Sequence, residues 1–207
     1  VWLSSLAQPQ CSFGIAKLHY GGGGDWYANP SALTNLIAFA QRETGAQICP
    51  EPVVVEAGSP QLHQYPFLYM TGHGNVVFSP AEAENMRRYL QAGGFWLIDD
   101  NYGMQRFIRR ELAKHFADFT LAELPTNHPV YRAHFTLPEG IPKIHEHDGK
   151  PAQAFGLFWQ GRLCGVLTFE CDLSDGWEDA EVHSDPEPVR RKALEMGTNL
   201  IVYAISN

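Results

Sequence analysis

Short apolar runs alternate along the chain with segments whose apolar positions recur at helical spacing. Residues 13–20 form a β-like run that ends in Gly21-Gly22-Gly23-Gly24. Asn29-Pro30-Ser31 then offers a helix start, and Leu33, Leu36, Ile37, Phe39 and Ala40 follow at a 3.6 period until Gly45. Residues 52–56 and 66–70 predict a second and a third strand, the latter ended by Thr71-Gly72-His73-Gly74-Asn75. Ser79-Pro80-Ala81-Glu82 combines a hydroxyl N-cap, Pro at the first helical position and Glu three residues on, so a helix is predicted from there to Gly93-Gly94.

The solid apolar run Phe95-Trp96-Leu97-Ile98 switches abruptly to Asp99-Asp100-Asn101-Tyr102-Gly103, and a basic amphipathic helix follows with Phe107, Ile108, Leu112 and Phe116 on one side. Runs apolar at every position fit strands buried on both faces of a parallel sheet. Residues 119–124 predict another strand, and 125–154 are rich in Pro, His and Gly and read as an irregular cap. Residues 154–159 and 162–171, split by Gln160-Gly161, predict a β-hairpin at the sheet edge, and a helix from about Glu187 to Ile205 closes the chain. The expectation is a doubly wound α/β fold with a mainly parallel sheet, a C-terminal hairpin edge and a final helix, as a single domain over 13–207 preceded by a flexible or signal-derived segment, 1–12.

Composition narrows the classes of function. Lys and Arg number 15 against 23 Asp and Glu, a formal net charge of −8 that argues against a nucleic-acid surface built on phosphate contacts. No apolar run is long enough to span a bilayer. Val1-Trp2-Leu3-Ser4-Ser5-Leu6-Ala7-Gln8 reads as the end of a signal region closing on a small-x-small pattern, so export to the periplasm is expected, with a cytoplasmic location as the alternative. Cys11, Cys49, Cys164 and Cys171 follow no zinc-ribbon spacing, and 207 residues need no disulfide framework to build a core. Nine His are the one unusual feature, because imidazole is both the commonest metal ligand and the proton carrier near neutral pH.

In open parallel sheets ligands bind beyond the carboxyl ends of the strands, which gives a list of candidates without any motif. His73, Asp99 and Asp100 follow the third and fourth strands, and Asp175 sits in an acidic loop after the last; these four are the candidate catalytic groups. Asp25, Trp26, Tyr27, Asn75, Tyr102 and Trp177 are candidate substrate contacts, the aromatic rings being suited to stacking on a sugar. In Ile144-His145-Glu146-His147-Asp148 an H-x-H pair in extended chain points both rings to one side, so His145, His147 and Asp148 are candidate ligands for a divalent metal ion.

Several chemistries fail on spacing. The glycine run meets neither the dinucleotide fingerprint nor the P-loop. Gly176 as sixth residue of a calcium loop would put Cys171 and Leu173 at the first and third ligand positions. The elbow after the fourth strand carries no Ser or Cys.

The blocks GGGGDWY, TGHGN, GGFWLIDDNYG, NHPVY, PKIHEHDGKP and DLSDGWEDAEVHSDPE, in this order from about Phe13 to the C-terminus, resemble the bacterial domain-of-unknown-function family numbered 4159. That family is similar to the class I glutamine amidotransferase-like superfamily, which includes trehalose-utilisation proteins. The resemblance implies a flavodoxin-like or amidotransferase-like fold and an exported protein, and supplies no catalytic residues. Relatives in the superfamily act through an elbow Cys; this chain has Asp and Asn there, so glutamine hydrolysis is not carried over. The functional expectation is a small-molecule or carbohydrate site at the carboxyl edge of the sheet, in its sharpest form a metal-assisted hydrolase. The alternative is a noncatalytic binding or scaffold domain of the cell envelope.

Overall fold

The computed structural model describes residues 11–207, so the signal-like pattern at 1–8 lies outside the described residues. Seven strands, β1 (Ile15–His19), β2 (Val53–Glu56), β3 (Phe67–Gly72), β4 (Phe95–Asp100), β5 (Thr120–Glu123), β6 (Gln153–Trp159) and β7 (Arg162–Phe169), form one sheet in the order β2-β1-β3-β4-β7-β6-β5. Every pairing from β2 across to β7 is parallel, while β6 is antiparallel to both β7 and β5, so β6 alone is reversed. The first four strands and β7 reproduce the flavodoxin-like order, with the switch point between β1 and β3. The predicted hairpin is present but does not form the edge, because β5 pairs with its outer side.

Burial on both faces explains the solid apolar runs. Phe67, Tyr69, Phe95 and Leu97 point to one core, shared with Leu36 of α1 (Ala32–Thr44) and Leu200 of a long C-terminal helix. Leu68, Met70, Trp96 and Ile98 point to the other, shared with Met86 of α2 (Pro80–Gln91) and Ile108 of α3 (Gln105–His115). A short helix, α4 (Ala180–His183), precedes the C-terminal α5 (Glu187–Ser206). The two faces leave polar groups little room except at the strand ends.

Local signals act as expected at α2, where the Ser79 hydroxyl accepts from the Glu82 N–H and the Glu82 carboxylate accepts from the Ser79 N–H. At α1 the hydroxyl of Ser31 is used differently. It donates to Glu178 Oε1 at 2.9 Å and accepts from the Asp179 N–H at 3.1 Å, tying a distant loop to the helix start instead of capping it.

The irregular segment between β5 and β6 is a packed layer. Val130, Tyr131, Leu137 and Ile141 enter the α1/α5 core, and the buried Asn199 side chain on α5 accepts from His134 N and Phe135 N while donating to Phe135 O. Cys11 and Cys49 form a disulfide across 38 residues, and Cys164 and Cys171 are free and buried.

Two glycines bring the acidic loop after β7 against α5. A Cβ on Gly176 would lie 2.5 Å from Ala193 Cβ, and one on Gly197 would lie 2.6 Å from Leu36 and 2.8 Å from Trp177. Gly176→Ala is therefore expected to destabilise the fold by about 1–3 kcal/mol through overpacking. Adding Ala193→Gly should recover part of that loss, despite the helix penalty of glycine. Urea unfolding of the single and double variants checks this, and equal midpoints for Gly176→Ala and the parent would refute the close approach.

Candidate active site

The first glycine loop exists to let two loops meet. A Cβ on Gly24 would come within 2.8 Å of the carbonyls of His73 and Asn75, and one on Gly72, at φ +135°, within 2.5 Å of the Tyr20 hydroxyl. Gly24 N donates to Asn75 O, Val77 N donates to Gly21 O, and the Asn75 amide donates to Gly22 O, so Asn75 pins the loop pair together. On this platform Asp25 accepts from both the backbone N–H of His73 and, at 2.9 Å, its Nδ1. Partial burial acts to raise the Asp25 carboxyl, but the bonds from His73 outweigh it and hold the group below its ordinary range. A carboxylate only accepts, so Nδ1 carries the proton and Nε2 of the half-exposed ring is left as the basic nitrogen. Trp26 stacks on His19 at 4.3 Å, and Tyr27 is exposed.

The end of β4 is buried. Asp99 has no exposure and accepts from Thr168 Oγ1 at 2.6 Å, Ser174 N at 2.7 Å and Leu173 N at 3.2 Å. Burial pushes its carboxyl up to about 7 against these stabilising bonds. Asp100 accepts from Met104 N at 2.7 Å, holding the start of α3, and burial raises it to about 6. Asn101 donates to Asn29 Oδ1 and Asp175 Oδ1, both at 2.9 Å, and accepts from Thr71 Oγ1. Asn29 donates in turn to Asp175 Oδ1 and Ser174 Oγ. A closed amide and carboxylate network thus fixes one oxygen of Asp175 and leaves the other free.

That second oxygen faces imidazoles. Asp175 Oδ2 lies 3.0 Å from His145 Nδ1 and 3.8 Å from His183 Nε2, and one ligand atom from each of these three residues falls within 4.8 Å of the others. The opposite nitrogen of His145, Nε2, lies 3.2 Å from both oxygens of Asp185. Asp172 Oδ2 lies 3.5 Å from His145 Nδ1 and hydrogen-bonds His147 Nε2, while the buried Asp172 Oδ1 has no partner. Burial, with the charge of Asp175 adding, raises the Asp172 carboxyl, and the bond to His147 opposes the rise. Two imidazoles and one carboxylate, one imidazole oriented by an outer carboxylate, are the donor set of a zinc-type site with open positions.

Backbone strain gathers here as well. Of six non-glycine residues with positive φ among the described residues, Gln160 lies in the hairpin turn, and Asn29, Tyr102, Glu170, Asp172 and Ser184 lie around this edge. Left-handed conformations at such residues cost about 1–3 kcal/mol each and persist where surrounding contacts enforce them.

With this geometry in view, the sequence match is informative. A family model described as Domain of unknown function (DUF4159) matches residues 14–205. The chain belongs to the DUF4159 family. No curated protein matches it. The match spans all seven strands and, but for the last residue of α5, the helices of this DUF4159 domain, including both halves of the histidine and carboxylate cluster.

Among the expected site residues, His73 faces Asp25, His145 faces Asp175, and His147 faces Asp172, all beyond the carboxyl ends of the strands. Three are placed otherwise. Trp177 is fully buried, with Nε1 donating to Ala193 O at 2.8 Å, so it packs the loop on α5 and offers no stacking face. Asp99 is sealed under the acidic loop and touches nothing that enters from solvent. Asp148 turns away from His145, accepting from the Tyr102 hydroxyl at 2.9 Å with Lys150 at 3.4 Å. Tyr102 is exposed and stacks on His147 at 4.2 Å. His183 and Asp185 complete the cluster unanticipated, because nothing in their local spacing signals an approach to residues almost 40 positions earlier. No thiol serves the elbow. Burial raises Cys164 to about 11 and also holds Cys171 well above the ordinary thiol range.

Asp99 gives a pH prediction. Its folded-state pKa, about 7, stands above its ordinary 3.8, so the native state holds the proton more tightly than the unfolded chain. Its contribution to stability is complete below about pH 4 and is lost as pH rises through 7. Asp99→Asn should remove this part of the pH dependence. It should also destabilise by about 1–3 kcal/mol, since an amide NH2 would face donors. Urea unfolding from pH 4 to 8 is the check, and an unchanged slope would exclude a raised Asp99.

Proposed function

We propose that this chain is an exported domain whose carboxyl-edge site binds one divalent metal ion and hydrolyses a small polar substrate, with a carbohydrate as the favoured class. The observation that carries the reading is the convergence of His145, Asp175 and His183, with ligand atoms within 4.8 Å of one another and Asp185 behind His145. A bound divalent ion supplies a water of lowered pKa. His145 and His183 offer imidazole nitrogens and Asp175 a hard oxygen fixed through Asn29 and Asn101, while Asp172 beside them keeps one buried oxygen without a partner. His73, oriented by Asp25, is the proton acceptor on the same edge, and Tyr102 and Tyr27 are exposed rings suited to a sugar face. The Cys11–Cys49 disulfide favours an oxidising compartment, in line with export.

The first test is binding. After chelation and dialysis, the protein should take up one equivalent of Zn2+ or Mn2+ by elemental analysis. The melting temperature should then rise by about 5–10 °C at a hundredfold excess over Kd. His183→Ala and Asp185→Asn should weaken binding, the latter by about 10–100-fold as an outer-shell change. No uptake of any divalent ion, together with no thermal shift, would sink the reading.

A further inference from the structure

A second reactive group lies outside the histidine cluster. Lys17 sits in the middle of β1, paired with Val54 on one side and Tyr69 on the other, where a lysine interrupts an otherwise apolar face. Its side chain lies in a cleft of about 220 Å³ walled mainly by Trp26, Tyr27, Pro30, Leu33, Val53 and Val54, with Asn29 also lining it but donating its amide to Ser174 and Asp175. The ammonium nitrogen donates to Ala28 O and lies 5.8 Å from the centroid of the Tyr69 ring. Among the described residues no carboxylate forms an ion pair with it, and Asp25 and Glu178 act from beyond contact. Two of its three N–H directions therefore have no protein partner.

A lysine placed this way is unusual. Ion pairing or full solvation would keep the charge, whereas apolar walls with one carbonyl do neither. Burial pulls the amine down to about 8, against the opposing charges of Glu178 and Asp25, so about a tenth of it is neutral and nucleophilic at pH 7. Desolvation in an apolar pocket is one of the ways in which amines are activated toward carbonyl carbons.

We propose that Lys17 is a covalent capture site for a small aldehyde or ketone with an apolar body that fills the cleft beside β2. The neutral amine attacks the carbonyl carbon and a carbinolamine forms as a proton passes from nitrogen to oxygen. Loss of water then leaves an imine, with no change in oxidation state. Trp26 and Tyr27 enclose the apolar part, and the exposed Tyr27 and Val54 mark the mouth. The site uses none of the proposed metal ligands, so its behaviour is independent of the metal reading.

The test is reductive trapping on the whole chain. Metal-free protein is incubated with isobutyraldehyde and cyanoborohydride at pH 7.5, and modification at Lys17, Lys114, Lys143, Lys150 and Lys192 is followed by peptide mass spectrometry. Lys17 should react at least about tenfold faster than the mean of the other four, with a rate midpoint near pH 8. Val54→Trp, which closes the mouth from the exposed side of an edge strand, should slow Lys17 at least about fivefold and leave the other lysines unchanged. A Lys17 rate equal to or below that of the exposed lysines overturns the proposal. So does a Val54→Trp variant, folded by circular dichroism, in which Lys17 still reacts at the parent rate.

Discussion

One buried carboxylate holds the candidate site on the sheet. Asp99, at the end of a strand sealed on both faces, accepts from Thr168, Leu173 and Ser174 and so clamps the start of the acidic loop to β4 and β7. Burial raises the energy of its charge, and the three donors offset that cost. Once Leu173 and Ser174 are fixed, the residues on either side have little freedom, and those are Asp172 and Asp175. The loop is held from behind by Trp177 and Gly176 against α5, and from the side by Glu178, which accepts from the backbone and hydroxyl of Ser31 at the start of α1. Residues from both ends of the chain therefore set the position of one carboxylate oxygen.

The rest of the edge follows from the sheet order. The switch point between β1 and β3 opens the space into which Asp25 and His73 fold, and glycine there is required by the close approach of two backbones. β7, inserted in parallel beside β4, delivers the acidic loop next to Asn101. The layer between β5 and β6 returns His145 and His147 to the same place, its path fixed by Asn199 and by Ile144 N donating to Cys171 O. Three strand ends and one packed layer thus contribute to the same edge of the sheet.

Much of this architecture is legible in the sequence because two-sided burial writes itself as solid apolar runs. The Gly45 and Gly93 stops and the Ser79 cap mark the helix ends by local chemistry. His145 and His147 do share a partner, but it is Asp172 and not their neighbour Asp148, because Gly149 turns the chain at φ +70° and the Tyr102 hydroxyl binds Asp148. Trp177 misleads for the opposite reason: an indole among acids looks like a binding surface, yet it is buried against Gly197, where a Cβ would lie 2.8 Å from the ring. The Cys11–Cys49 bridge and the approach of His183 and Asp185 depend on distant backbone, which no local pattern encodes.

Charge balance gives the cluster its chemical direction. Asp172, Asp175, Asp185 and Glu178 all face His145, His147 or His183, and no Lys or Arg pairs with these four carboxylates among the described residues. Lys143 pairs with Glu146 and Glu170, and Arg190 donates to the carbonyl of Glu178. Four carboxylates gathered around three imidazoles, on loops strained at Glu170, Asp172 and Ser184, repel one another unless positive charge is added. Protons on the imidazoles supply it one unit at a time. A divalent ion held by His145, Asp175 and His183 would supply two units at one point. Under the proposed metal reading, the strain and the repulsion share one compensation.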